Sequence, residues 1–465
     1  MRLITCSNSA PQIDVTTGEM VTTPGTPGGL LPIMMSLLGE VGGRWIVTSP
    51  TGAAQDPIVN GDMAVTPLAI GEELASAHYG KISISTFLWL FHYVFDTTYE
   101  PSFSSAAHTH WSGYEEVNRR FAEQMLLAHE DSAEQVMLVH DFHLMLVPGM
   151  IHERLPDRRG RLVYFHHVPW CEPDYFALLP TWMRTPVLES LLASDVVGFH
   201  SQRWADAFAS CCDRFLGAAK VTATSVEYRG RRTSLAVAPG PIDADVLQTL
   251  QVDPLTEQWR DCLTQQAAGR RPIVRVDRLD LWKNVVRGFE AFELLLEREP
   301  ALASELWFCG IVSPPRRPTG RSIAYRTLCE ATASRINERF GGAGREPVSL
   351  IYPEGRHSRH RAVAALELSS VTLVNPTLDG LNMVSKEAMV VGSAPLLLSV
   401  NAGAYEQLQD GVIPVHPYDV EATADAMVAA LDGDRVAGSA HVAGRLRQET
   451  AAAWLQRLLA DHPAD

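Results

Sequence analysis

The sequence predicts an α/β protein made of two doubly wound domains with parallel sheets. Three observations lead there. Short apolar runs alternate with amphipathic helices at the spacing of βα repeats. Polar residues appear abruptly where those runs end, as they do at strand ends that face a ligand crevice. The alternation stops at Ala238-Pro239-Gly240-Pro241 and restarts at Pro272, which marks a domain boundary near residue 240. With 465 residues the chain has room for two or three domains, each with an ample core.

In the first half, Arg2 to Cys6 reads as a strand, followed by a polar loop rich in Thr, Pro and Gly. That loop ends in Gly28-Gly29 before a helix running to about Leu38, and a Gly pair there lets backbone amides approach a phosphate. Trp45 to Val47 is a further strand, and residues 51–75 read as irregular. The aromatic cluster Phe87, Trp89, Phe91, His92 and Tyr93 reads mostly as core, and Glu115 to His129 as an amphipathic helix. Gln135 to Val139 is a buried strand that ends in His140-Asp141-Phe142-His143. Two more strands end in the same polar way, Leu162 to Phe165 before His166-His167 and Val196 to Phe199 before His200. His140 and His143 suggest a metal only weakly, because no third ligand stands at a useful spacing.

The second half repeats the pattern. Residues 255–269 form a hydrophilic helix, and Pro272 to Val276 is a strand followed by Asp277-Arg278-Leu279-Asp280-Leu281-Trp282-Lys283. The helix after it shows Val285, Phe289, Phe292 and Leu296 on one face. Arg278 and Lys283 flank a loop at a strand's carboxyl end, where they could clamp a diphosphate; two solvated basic residues are the plainer alternative. Further strands are expected at Leu306 to Val312, Val348 to Tyr352, Val371 to Asn375, Ala394 to Val400 and Val412 to Val415, with helices at 420–432 and 438–460.

The most informative stretch is VTLVNPTLDGLNMVSKEAMVVG, residues 371–392. It reads as a buried strand, a tight turn through Asp379-Gly380, and a helix from about Leu381. A helix N-terminus at a strand's carboxyl end is a ready anion site. Asp379 and Glu387 bracket it, and carboxylates beside a phosphate site suit the hydroxyls of a polyol. An ordinary βα unit with a solvated Glu387 fits the spacing equally well.

Composition narrows the partners. Lysines and arginines number 39 against 54 acids, a net charge of −15, which argues against nucleic acid or an anionic membrane surface. The seven cysteines show no metal spacing and fit a reducing cytoplasm. Neither a signal peptide nor an apolar run of membrane-spanning length is visible. Nothing in this reading excludes a homo-oligomer.

Taken together, VHDFHLMLVPGMIHERLP, FHHVPWCEPDYFALLP, VDRLDLWKNVVRGFEAF, INERFG and NPTLDGLNMVSKEA resemble the signature blocks of the trehalose-6-phosphate synthase family. The resemblance runs in consistent order over nearly the whole chain. It implies the GT-B fold, two Rossmann-like domains facing a central cleft: an acceptor domain over 1–240, a nucleotide-sugar donor domain over 241–435, and a C-terminal helix over 436–465 that packs back on the first domain. It also implies a retaining glycosyltransferase that moves a sugar from a UDP- or GDP-linked donor to a small sugar-like acceptor. No metal and no cofactor beyond that co-substrate are required. The flavour is that of actinobacterial members, which include pseudo-glycosyltransferases joining cyclitols through nitrogen.

The resemblance gives roles to particular residues. Arg278 and Lys283 would hold the donor's diphosphate, and Glu387 the ribose hydroxyls. Asp379, with the backbone of Gly380, Leu381, Asn382 and Met383, would hold the donor sugar and its phosphate. Gly28 and Gly29 would close over the diphosphate from the other domain, and His357 falls in the base-binding loop. His167 would stand against the donor sugar, Asp141 would orient acceptor hydroxyls, and Trp89 and Tyr79 would line the acceptor site.

Two departures stand out. Where the family has an arginine gripping the acceptor's phosphate, this chain has Ser9, and a position before Asp379 that is often arginine is Leu378. A second phosphate-gripping arginine is expected within 313–321, which offers Arg316, Arg317 and Arg321, with Arg316 taken as the candidate. Donor chemistry is therefore expected intact and acceptor recognition altered, toward a cyclitol, nucleoside or other specialised metabolite. The alternatives are an ordinary trehalose-6-phosphate synthase using glucose 6-phosphate, an inactive sugar-nucleotide-binding homologue, and a doubly wound dehydrogenase. The last is disfavoured because no GxGxxG follows any strand.

Overall fold

A computed structural model of the chain describes residues 2–11, 29–49, 56–315, 318–342, 344–352, 358–433 and 436–460. It divides into two compact units. One comprises residues 1–22, 30–241 and 450–465, the other 23–29 and 242–449.

The first unit is a mixed sheet flanked by helices. Its described strands are β1 (Arg2–Ser7), β2 (Gly43–Thr48), β3 (Ile58–Asn60), β4 (Met63–Leu68), β5 (Gln135–His140), β6 (Arg161–Phe165), β7 (Val196–Phe199), β8 (Lys220–Val221), β9 (Ser225–Tyr228) and β10 (Arg231–Val237). They lie in the order β3-β4-β2-β1-β5-β6-β7-β10-β9-β8. From β4 to β10 the neighbours are parallel. Antiparallel pairs occur only at the edges, β3 with β4 and the β8, β9, β10 meander. Wholly buried runs such as Val136 to Val139 and Leu162 to Phe165 make the centre, as expected of strands covered on both faces.

Two parts of this unit differ from the sequence expectation. Residues 58–68 are not irregular but form a hairpin whose second strand, β4, extends the parallel sheet beside β2. Its alternating burial comes from one covered face only, so Thr66 and Pro67 interrupt any apolar run. The stretch Glu72–Phe91 is one helical rod, with Ser76–Leu88 wound wide as a π-helix that buries His78, Ile82 and Phe87.

The described strands of the second unit form a six-stranded, all-parallel sheet: β11 (Arg271–Arg278), β12 (Leu306–Ser313), β13 (Val348–Ile351), β14 (Val371–Val374), β15 (Leu396–Ser399) and β16 (Ile413–Val415). Its order is β13-β12-β11-β14-β15-β16. Read in chain order that is third, second, first, fourth, fifth, sixth, the winding of dinucleotide-binding domains. Phe289, Phe292 and Leu296 of the helix Val285–Arg298 pack on Phe308 and Leu373 beneath one face.

At the C-terminus the expected single helix over 438–460 is two. Ser439–Arg447 stays with the second unit, where Val442 and Leu446 join its core, and the chain returns to the first unit at residue 450 rather than at 436. Thr450 caps the second helix, Ala451–Leu459, by accepting the Ala453 N–H. Trp454 of that helix is fully buried; its indole N–H donates to the Ala238 carbonyl at 3.0 Å, and its ring meets Phe165 edge-on.

Candidate active site

In a doubly wound sheet the ligand crevice opens where successive connections leave to opposite sides. In the second unit that switch point lies between β11 and β14. The end of β11 and the loop after it hold Arg278, Asp280 and Lys283, and the segment after β14 holds Asp379 to Met383. Sequence therefore put its two most informative stretches at one place in one sheet.

The chemistry there is tightly paired. The Lys283 ammonium lies 2.5 Å from Asp379 Oδ2 and 3.9 Å from Asp277 Oδ1. Burial works against this ammonium, but Asp379 and Asp277 outweigh it and hold its pKa above the ordinary lysine value. Burial raises the Asp277 pKa, opposed by Arg275 and Lys283. Arg275 lies wholly inside, donating to Asp277 Oδ2 and to the Lys283 carbonyl, so it fixes the loop's backbone from below. Arg278 is half exposed and held by Asp280 through Nε and Nη2. Two cations are thus oriented by carboxylates while one of them stays open to solvent.

Across the switch point, the helix Met383–Val391 begins at Asn382, whose backbone sits at φ 79° and whose side chain accepts the Ser385 N–H. The Asn382 amide also donates to Asp379 Oδ2 at 3.0 Å, locking the turn onto the helix start. The helix begins two residues later than its periodicity suggests, because Leu381 is buried as part of the turn. Four residues into the helix, Glu387 is ion-paired with Arg359 at 3.2 Å. Sequence reading missed Arg359: nothing in a helical Ser-Arg-His announces a partner 28 positions away. Gly29 groups with this unit, and a Cβ there would sit 3.2 Å from Met383 Cγ. Gly28, His357 and Arg316 lie outside the described residues, as does Arg317.

In the first unit the switch point falls between β1 and β5. Ser7 ends the first, before Asn8-Ser9, and His140 ends the second, before Asp141. The β1 end is pinned by Trp45 Nε1–H donating to Ser7 Oγ, which in turn donates to the Ser9 carbonyl. Asp141 has φ 72°, a left-handed backbone that non-glycine residues rarely adopt. Its carboxylate accepts the His167 N–H at 3.2 Å and lies 3.8 Å from His143 Nδ1. Tyr79 stacks on the His143 ring at 5.7 Å, so Tyr79, His143, Asp141 and His167 form one group. Trp89 stands further along the same helical rod, edge-on to Phe95 at 6.2 Å. Leu378 is buried in its turn, in the second unit.

Comparison with known proteins decides what these sites belong to. The profile of glycosyltransferase family 20 matches residues 15–462. The chain belongs to glycosyltransferase family 20. It is therefore a glycosyltransferase, and its fold is GT-B. The α,α-trehalose-phosphate synthase [UDP-forming] of Botryotinia fuckeliana is 29% identical over 440 residues, 92% of this chain and 81% of that one. The corresponding synthase 2 of Aspergillus niger is 31% identical over 373 residues, 78% of this chain and 74% of that one. Among solved structures, a UDP-forming α,α-trehalose-phosphate synthase from Burkholderia xenovorans in complex with glucose 6-phosphate superposes with a TM-score of 0.86. It is 25% identical and covers 99% of each chain. No described helix of the family 20 chain is long and apolar enough to cross a membrane.

Proposed function

We propose that this chain is a retaining, UDP-forming hexosyltransferase that moves glucose from UDP-glucose to a sugar-like acceptor lacking the usual phosphate handle. The observation that carries the donor half is the pairing of Lys283 with Asp379 at the amino end of the helix Met383–Val391, beside Arg278. A leaving diphosphate gathers negative charge, and preorganised cations with a helix N-terminus stabilise it where it forms. Asp379 and Glu387 then serve the sugar and ribose hydroxyls. The UDP named for the relatives supports uracil as the base.

In the reaction the bond from the sugar's C1 to the phosphate oxygen breaks. The acceptor oxygen bonds to C1 from the same face, and its proton passes to the departing phosphate oxygen. No carboxylate is needed as a nucleophile. The product should keep the donor's α configuration, and the anomeric proton coupling in its NMR spectrum reads this directly. A β linkage would contradict the mechanism.

The acceptor half rests on Ser9 and Leu378, which bring no charge where a phosphate dianion would need one. A specialised acceptor such as a cyclitol, as in the pseudo-glycosyltransferases, fits that loss. The second reading, an ordinary synthase acting on glucose 6-phosphate, is favoured by the names of the relatives and by the sugar phosphate in the Burkholderia xenovorans complex.

A further inference from the structure

We propose that His140 is a positioning residue for His167: the His140 Nδ1–H donates to His167 Nε2, so that His167 offers its own Nδ1–H to a sugar oxygen. This rests on the reading of His167 as a residue facing the donor sugar.

Register puts the two rings together. His140 ends β5 and pairs with Phe165 at the end of β6, so His167, two residues on, stands beside it. His140 Nδ1 and His167 Nε2 are 2.9 Å apart, a hydrogen bond that holds a single proton between two neutral rings. Both rings are neutral, since burial pushes His140 down to about 3 and His167 well below the ordinary histidine value.

Which ring owns that proton follows from the far side of His140. Its Nε2 is buried without a hydrogen-bond partner among the described residues, and the ring lies nearly parallel to the Trp454 indole, centroids 6.4 Å apart. A proton on Nε2 would be a buried donor with no described partner, whereas a bare lone pair there costs less. The proton therefore sits on Nδ1 and points at His167. His167 Nε2 accepts it, and the neutral ring must carry its own hydrogen on Nδ1.

The neighbouring histidines cannot take over. His166 spans Tyr164 Oη and the Pro169 carbonyl, and His200 Nδ1 accepts the Gly240 N–H. Trp454 comes from the returning C-terminal helix, anchored on Ala238, so that segment covers one face of the His140 ring.

The test uses the full chain with ¹⁵N-labelled histidine, assigning the His167 signals by their loss in His167→Gln. The wild type should show His167 with Nδ1 protonated and Nε2 bare; the opposite tautomer overturns the proposal. In transfer assays His140→Leu should lower kcat by about tenfold to a hundredfold, the scale seen when the outer partner of a metal-bound imidazole is removed, while the donor KM changes little. His140→Asn should recover most of that loss, because its amide N–H stands near where Nδ1–H stood. Equal kcat for the Leu and Asn variants, or wild-type kcat in His140→Leu, overturns the idea. Should His140→Leu not fold, the wild-type tautomer and His140→Asn still decide. Full activity in His167→Gln would remove the pair from catalysis, while UDP binding by the second unit would still stand or fall separately.

Discussion

Replacing Arg278 or Lys283 by alanine should cut turnover at saturating donor by about a hundredfold or more, the scale of losing one preorganised donor aimed at transition-state charge. The two variants should differ in stability. Arg278 is half exposed and pairs with its neighbour Asp280, so its removal should leave the fold intact. Lys283 is buried against Asp379, and removing one partner of a buried pair strands the other charge. Lys283→Ala should therefore melt lower than Arg278→Ala while both lose activity. Near-normal turnover in either purified variant would sink the diphosphate clamp.

Glucose 6-phosphate should be a poor acceptor. A phosphate dianion needs charge-assisted partners, and each hydrogen bond to a charged group is worth about 1.5–3 kcal/mol. Ser9 cannot stand in for a guanidinium, and Leu378 is buried and neutral. Losing one such contact should lower phosphate preference by about ten- to a hundredfold. Ser9→Arg should raise whatever activity on glucose 6-phosphate exists, because it restores a fork-shaped donor at the end of β1. A transfer assay corrected for donor hydrolysis, pairing UDP-glucose with glucose 6-phosphate, decides this. Efficient formation of trehalose 6-phosphate by the wild type would show the acceptor reading wrong.

Sequence made the switch-point loops of both units legible because a buried parallel strand that ends in polar residues breaks its own apolar pattern. That is how Arg278, Lys283 and Asp379 stood out from their surroundings, and Asp141 and His167 likewise. The strands β4, β9 and β10 did not stand out. They lie toward the sheet edges, and residues such as Thr66, Arg231 and Arg232 dilute their hydrophobicity. Contacts across long sequence separations were equally invisible. Arg359 on Glu387 and Trp454 beside His140 each join elements that share no local pattern. The break at residues 448–450 was missed because the flanking helices have similar periodicity, and only Thr450 hints at a new start.

The second unit should bind a nucleoside diphosphate through Arg278, Lys283 and the start of the helix Met383–Val391. Thermal unfolding with and without UDP tests it most directly. A ligand that binds only the folded state, at about a hundred times its Kd, adds about 2.7 kcal/mol of stability. UDP should raise the melting temperature of the wild type by several degrees, GDP by less, and neither should shift Arg278→Ala appreciably. An unchanged melting temperature with UDP, or an equal rise in Arg278→Ala, would rule out nucleotide binding through these residues.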